Sequence, residues 1–285
     1  MAVRFVAEVS SNHGRDLGRS LAFVDTAARI GCAAVKFQLF KVDELFAPEI
    51  LARSPKHQAR SRWELPEAFL APLAARSREL GIQFACTPFS LRAVDVLAPY
   101  VDFFKVASYE LVWDDLLRAC AATGKPVVAA TGMATLDEVM HAADVLRRAG
   151  CADPILLHCT SGYPTPIEQC NLAAIETIRD ATRARAGWSD HSVSAAVIYR
   201  AVHRWRAEMV EFHLDLDGSG AEFGAGHCWL PKQIAPVIET IHHGVAADGT
   251  GEKVPVEAEA ADRAWRADPS DGLRPMRGVR RTWMP

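Results

Sequence analysis

VRFVAEVSSNHGRDLGRSLAFVDTAARIGCAAVKFQLF, residues 3–40, holds one complete strand, helix and strand unit. Its opening VRFVAEV (3–9) is a short apolar run with β-branched residues and reads as a buried strand. From Asp16 to Ile30, apolar Leu17, Leu21, Val24 and Ala28 recur at steps of three or four, the spacing of one helix face, and Gly31 stops the helix. AAVKFQLF (33–40) is the next strand. The same alternation continues with PEAFLAPLAARSREL then GIQFACT, LRAVDVLA then DFFKVAS, and WDDLLRACAATG then KPVVAATGM. TLDEVMHAADVLRRAG then DPILLHCTS, NLAAIETIRDA then ARAGWSDH, VSAAVIYRAVHRW then AEMVEFHLD, and a last helix around PKQIAPVIETIHH complete it, with Gly or Pro at nearly every junction.

Roughly eight such pairs over about 245 residues predict an α/β fold of the (β/α)8 or TIM-barrel type. A doubly wound open sheet is the alternative, but it carries a phosphate-binding glycine fingerprint after its first strand, where this chain reads SSNHG. The barrel is expected over residues 1–246, with 247–285, rich in Gly, Pro and Arg, as an irregular tail packed on it. Residues 41–64 form a long insertion after the second strand, on the side where barrel active-site loops lie, and suit a substrate lid or subunit contact.

The chain has 285 residues, of which 49% are hydrophobic and 24% charged, so it can bury a substantial core and lies outside the disordered and fibrous classes. A net charge of −3 gives no general positive field, which argues against nucleic acid or an anionic membrane as a partner. No apolar run reaches the ~18 residues expected of a spanning helix. The first residues lack the basic segment and apolar stretch of a signal peptide. Seven scattered cysteines without a CxxC pair read as reduced thiols. A cytoplasmic enzyme is the expectation.

In a barrel the chemistry sits where the carboxyl ends of the strands meet their loops. These positions carry Glu8, Lys36, Gln38, Thr87, Lys105, Ser108, Glu110, Thr131, His158, Ser189, Asp190, His191, Glu211 and His213. Lys36 and Lys105 lie inside apolar strands, where a charge needs a partner. That partner is a core carboxylate such as Glu8 or Glu110, or a bound anion, with Ser108, Thr131 and Ser189 adding hydroxyl donors; a Schiff-base lysine is a third option. His191 and His213 close neighbouring strands, and their imidazoles suit a divalent Mn, Fe or Zn ion. His158 lies deeper and reads as structural, and Asp190 as an orienting group. Glu8 and Glu110 are the first candidates for proton transfer.

Taken in order, AEVSSNHG, VKFQLFKVDEL, ACTPF, FKVASYE, GKPVVAATGMATLDEV, LLHCTSGYPTP, NLAAI, WSDHS and EFHLD resemble the sialic acid synthase family over about residues 3–245. The resemblance implies a (β/α)8 barrel that condenses phosphoenolpyruvate with a sugar aldehyde to a 2-keto-3-deoxy sugar acid and releases phosphate. It assigns phosphoenolpyruvate to Lys36, Lys105, Ser108, Ser161 and Ser189, with Lys253 in GTGEK a weaker addition. It assigns a divalent metal, Mn2+ or Mg2+, to His191 and His213. Glu8, Gln38 and Tyr163 would face the sugar, Glu110 would manage a proton or the attacking water, and Glu222 would touch sugar hydroxyls.

This sequence departs from the family pattern at Ala130, where a serine is usual, and in DGSGAEFGAGHCWLP, which replaces the DxxxPGPDHxxS pattern. It is also read as ending without the family's C-terminal antifreeze-like domain, which places an arginine over the partner subunit's sugar. One of Arg263, Arg266, Arg274, Arg277, Arg280 and Arg281 would then replace that arginine, or these residues simply pair with Asp262, Asp268 and Asp271. A homodimer is the assembly the resemblance implies. Two other functions fit the same residues: a Schiff-base barrel aldolase using Lys105 or Lys36, and a catalytically degenerate protein that binds sugar or phosphoenolpyruvate.

Overall fold

The computed structural model describes residues 3–284, and the chain divides into two compact units, Met1–Val245 and Ala246–Pro285. The first unit is the predicted barrel. Strands β1 (Arg4–Glu8), β2 (Ala34–Leu39), β3 (Gln83–Pro88) and β4 (Phe103–Val106) are followed by β5 (Val127–Ala130), β6 (Ile155–Cys159), β7 (Arg185–Asp190) and β8 (Met209–His213). They pair in sequence order, all parallel, and β8 closes on β1 with Glu8 opposite His213.

Strand side chains alternate between the two faces, so each strand feeds two separate cores. Phe5, Val35, Phe84, Phe104, Trp188 and Phe212 point outward and are buried under helix residues such as Phe23, Val24, Leu73 and Ile234. Burying a side chain of this size contributes about 1.5–3 kcal/mol, and this outer layer is the larger of the two cores. Inside the barrel, Val6, Ala34, Ala85, Phe103, Val128, Ile155, Leu157 and Met209 form a second apolar cluster that plugs its lower half. Gly187 belongs to this interior because a Cβ there would lie 2.3 Å from the Met209 carbonyl and 2.6 Å from Leu157 Cδ2.

Helix ends follow local chemistry. Asp16 caps Leu17–Arg29 by accepting from the Arg19 amide at 2.6 Å, and Thr135 with Glu138 forms a capping box on Leu136–Arg148. The helix expected through VSAAVIYRAVHRW is instead an α-helix over Ala195–Tyr199 that loosens into a π-helical turn over Arg200–Arg204. Arg179 Nη2 closes its end by donating to the carbonyls of Trp205 and Arg206 at 3.0 and 2.8 Å. The insertion after β2 is a chain of short helices, Val42–Leu45, Pro48–Leu51 and Pro55–Gln58, then a 3-10 turn over Ala59–Trp63. Glu64 ties its two ends by accepting from Lys41 Nζ at 3.1 Å and the Val42 amide at 2.9 Å.

The second unit contains 3-10 turns at Glu257–Glu259 and Arg263–Trp265 and a short helix, Arg277–Thr282. Asp271 pairs with both Arg277 and Arg280. No helix among the described residues is long and apolar enough to cross a membrane. All seven cysteines are buried free thiols.

Candidate active site

Strand parity builds the site. Two residues beyond Val6, Ala34, Ala85 and Phe103 of the inner apolar cluster, the next inward position is Glu8 on β1, Lys36 on β2, Thr87 on β3 and Lys105 on β4. On β5 to β8, two residues beyond Val128, Leu157, Gly187 and Met209, it is Ala130, Cys159, Ser189 and Glu211. A polar tier therefore stands on an apolar floor. Two residues further, Gln38, His191 and His213 reach the mouth. Register keeps neighbours level: Glu8 is opposite Lys36, and Ser189 opposite Glu211.

The buried charges are shared unequally. Lys36 Nζ lies 2.6 Å from Glu8 Oε2 and 3.7 Å from Glu211 Oε1, and donates to Thr87 Oγ1 at 3.0 Å. Burial opposes its charge, but Glu211 and Glu8 outweigh burial and hold the ammonium above its usual range. Among the described residues Lys105 has a single carboxylate partner, Glu211 Oε1 at 3.6 Å, and its Nζ donates to the Val106 carbonyl at 3.3 Å. Burial, with Lys36 nearby, pulls Lys105 below the usual lysine range despite Glu211. Glu211 is the hub: burial works against its charge, but the two lysines hold its carboxyl low, and Ser189 Oγ donates to it at 3.4 Å.

These contacts bear on two expectations. Glu8 is the counter-ion of Lys36 and also accepts from Gln38 Nε2 at 2.6 Å. The core-carboxylate explanation therefore holds for Lys36, with Glu8 as one partner. It holds only weakly for Lys105, which shares its one carboxylate with Lys36.

Beside Lys105 the loops after β4, β5 and β6 form a small polar cradle. Ser108 Oγ accepts from the Gly132 amide at 3.0 Å and lies 3.1 Å from Cys159 Sγ. Ser161 Oγ is buried without a partner. A Cβ on Gly132 would meet Ser161 Oγ at 2.3 Å, Cys159 Sγ at 2.7 Å and Ser108 Oγ at 2.9 Å, so all three converge on the one residue without a side chain. Thr131 does not join them. Parity turns Ala130 inward and Thr131 outward, where its hydroxyl donates to the Leu157 carbonyl at 3.2 Å. Glu110, at the end of the turn Ser108–Glu110, is half-buried with Oε2 unpartnered. Burial pushes its carboxyl up to about 7, and the charge of Lys105 offsets only part of that.

His191 and His213 converge as expected, with ring centroids 5.3 Å apart, and Tyr163 lies over His191 at 4.2 Å. His191 Nδ1 is held by the Thr160 carbonyl at 2.9 Å, and burial together with His213 lowers the imidazole to about 3. A third imidazole, His227, lies 4.7 Å from His213. Glu222 Oε2 is 3.0 Å from His213 Nδ1 and 3.5 Å from His227 Nε2. Burial opposes the charge of Glu222, but those two histidines and a hydrogen bond from Ser10 hold its carboxyl well below the usual range.

Among the described residues, the donor atoms of His213, Glu222, His227 and Cys228 lie within 4.8 Å of one another. His191, expected as a ligand, is not in that set, and Glu222, expected at the sugar, is. The reason is the segment after β8. It returns to the strand through a parallel bridge between Leu214 and Trp229, with the Trp229 amide donating to the His213 carbonyl at 2.8 Å. Asp190 fixes it, accepting from Trp229 Nε1 at 2.9 Å and Trp188 Nε1 at 3.0 Å, which is the orienting role read for it. Asn12 accepts from the Glu222 amide at 2.8 Å and donates toward Cys228 Sγ at 3.6 Å. The mixed nitrogen, oxygen and sulfur donors fit a divalent transition metal. Sequence reasoning missed His227 and Cys228; the adjacent His and Cys closing a glycine-rich loop were the available signal. His158 is structural, with Nε2 at 3.0 Å from the Cys170 carbonyl, and Lys253 is an exposed residue of the second unit.

The chain is 34% identical over 259 residues to an uncharacterized Methanocaldococcus jannaschii protein, MJ1065, covering 89% of this chain and 74% of that one. It is 31% identical over 284 residues to the N,N'-diacetyllegionaminic acid synthase of Legionella pneumophila, covering 93% and 78%. Among solved structures, the N-acetylneuraminic acid (sialic acid) synthetase of Leptospira borgpetersenii, in complex with citrate, superposes with a TM-score of 0.80. That match is at 28% identity and covers 92% of this chain and 90% of the other. The NeuB family profile matches residues 23–253. With a matching barrel and end-of-strand motifs that resemble sialic acid synthases, the chain belongs to the NeuB family.

Proposed function

We propose that the protein condenses phosphoenolpyruvate with an aldose or modified sugar aldehyde to give a 2-keto-3-deoxy sugar acid of the nonulosonic type, with release of inorganic phosphate. One observation carries the reading: Lys105, buried and served by a single shared carboxylate at 3.6 Å, stands beside the Ser108, Gly132 and Ser161 cradle. Such a site is complementary to an anion that brings its own negative charge. The relatives with synthase names support the reaction class.

In this reading Lys105, Ser108, Ser161 and the Gly132 loop hold the enol phosphate. Lys36, fixed by Glu8 and Glu211, stands in the same tier as Lys105. C3 of the enol attacks the aldehyde carbon, forming the new C–C bond; water then adds at C2, and the C2–O bond breaks as phosphate leaves. Lys105 assists both binding and departure, because charge on the phosphate grows as that bond breaks. Glu110, poised near neutrality, takes the proton of the attacking water. A divalent cation among His213, Glu222 and His227 would act as a Lewis acid on the acceptor's carbonyl oxygen. The free thiols support a cytoplasmic setting.

The test is a panel of aldoses with phosphoenolpyruvate and a divalent metal, read by phosphate release and product mass. Phosphate is expected only with both substrates present, and Lys105→Ala should lower the rate by at least ~100-fold. Release unaffected by that substitution overturns the proposal. The lowered pKa of Lys105 also suits a Schiff-base aldolase. Borohydride trapping of substrate on Lys105, with no phosphate released, would select that reaction instead.

A further inference from the structure

One inward member of the polar tier has no task in the proposed reaction, the Cys159 thiol at the end of β6. It is 4% exposed, and its Sγ lies 3.1 Å from Ser108 Oγ, in a contact where either atom can donate. Ser108 Oγ already accepts from the Gly132 amide at 3.0 Å, so one of its lone pairs is taken and one remains. Among the described residues, the side-chain partner left for its proton is the Cys159 sulfur, a weak acceptor. Lys105, 2% exposed with one shared carboxylate, and Ser161 Oγ, buried without a partner, mark the adjoining space as the place of an anion. Burial holds the thiol above its usual range against the opposing pull of Ser108 and Lys105, so the sulfur keeps its proton and can donate it.

We propose that the hydrogen bond between Ser108 and Cys159 reverses when an anion enters the cradle, which makes Cys159 a positioning residue for the enol phosphate. Without the anion, the Ser108 hydroxyl donates to the sulfur. With it, that proton turns to an anionic oxygen, a far stronger acceptor, and the Cys159 S–H becomes the donor to Ser108 Oγ. The Gly132 amide and the thiol then occupy both lone pairs of the hydroxyl oxygen, which leaves its proton aimed at the anion. Only hydrogen bonds change partners; the thiol neither ionises nor attacks. The inference deepens the proposed synthase and rests on phosphoenolpyruvate binding in that cradle.

The whole chain is titrated with phosphoenolpyruvate by calorimetry and, in parallel, by difference infrared spectroscopy in the S–H stretching region, which other protein groups leave clear. One S–H band should move to lower frequency as the thiol becomes a donor, in step with the calorimetric isotherm, and Cys159→Ala should abolish that change. Cys159→Ala should weaken phosphoenolpyruvate binding by ~3- to 10-fold, the effect of one oriented neutral hydrogen bond, and Cys159→Ser should restore it to within ~2-fold of native. Alanine and serine fill nearly the same volume, so a packing role would leave both variants equally weak. Binding without an S–H shift, a shift that persists in Cys159→Ala, or equal affinities for the alanine and serine variants overturns the proposal. Should the variants fail to fold by circular dichroism, the native difference spectrum alone decides by the presence or absence of the shift. Phosphoenolpyruvate bound with the shift, but no phosphate released with any aldehyde, would sink the synthase reading alone. Phosphate release without the shift would sink this inference alone, and no binding at all would sink both.

Discussion

Replacing Glu110 by Gln should flatten the pH dependence of stability, because Glu110 is a half-buried carboxyl with one unpartnered oxygen and only partial relief from Lys105. In the unfolded chain it titrates near 4.5, and in the folded protein near 7. The folded state therefore binds more protons across that window, and stability falls as pH rises through it. The separation is 7 minus 4.5, or 2.5 pH units, and at ~1.4 kcal/mol per unit it reaches about 3 kcal/mol. Partial exposure of the carboxyl trims this toward ~2 kcal/mol, and most of it falls between pH 5 and pH 8. Urea unfolding of the native chain and of Glu110→Gln at both pH values isolates the contribution, because the amide does not titrate. The difference in stability, variant minus native, should grow by about 2 kcal/mol from pH 5 to pH 8. Parallel profiles would show that Glu110 titrates normally, and its assignment as the proton acceptor would fall with them.

Two more substitutions probe the same tier. Glu211→Gln leaves Lys105 without a carboxylate and Lys36 with Glu8 alone, and should cost about 3–5 kcal/mol in urea unfolding; a loss below ~1 kcal/mol would mean the lysines are already compensated elsewhere. Gly132→Ala puts a methyl group 2.3 to 2.9 Å from Ser161, Cys159 and Ser108. It should weaken phosphoenolpyruvate binding by ~10-fold or more in calorimetry, with folding little changed because two of the crowded atoms are rotatable hydroxyls. Unchanged affinity would place the phosphate elsewhere.

What the sequence makes legible, and what it does not, follows from how each side chain gets its direction. On a strand, direction is set by parity. Lys36 and Lys105 announce themselves as charges in apolar runs, and once Val6, Ala34, Phe103 and Met209 are known to fill the barrel, Glu8, Lys36, Lys105 and Glu211 must follow on the same face. A slip of one residue is enough to mislead: Thr131, read as a hydroxyl donor, points away because its neighbour Ala130 takes the inward place. Glu211 was readable as one rim carboxylate among several, and only register identifies it as the group between the two lysines. Loops carry no such period. Glu222, His227 and Cys228 reach His213 because Asp190 and Asn12, distant in sequence, hold the returning segment against β8. Their convergence is therefore a property of long-range hydrogen bonds, and that is why the departure of DGSGAEFGAGHCWLP from the family pattern could be seen in sequence while the clustering of Glu222, His227 and Cys228 at His213 could not.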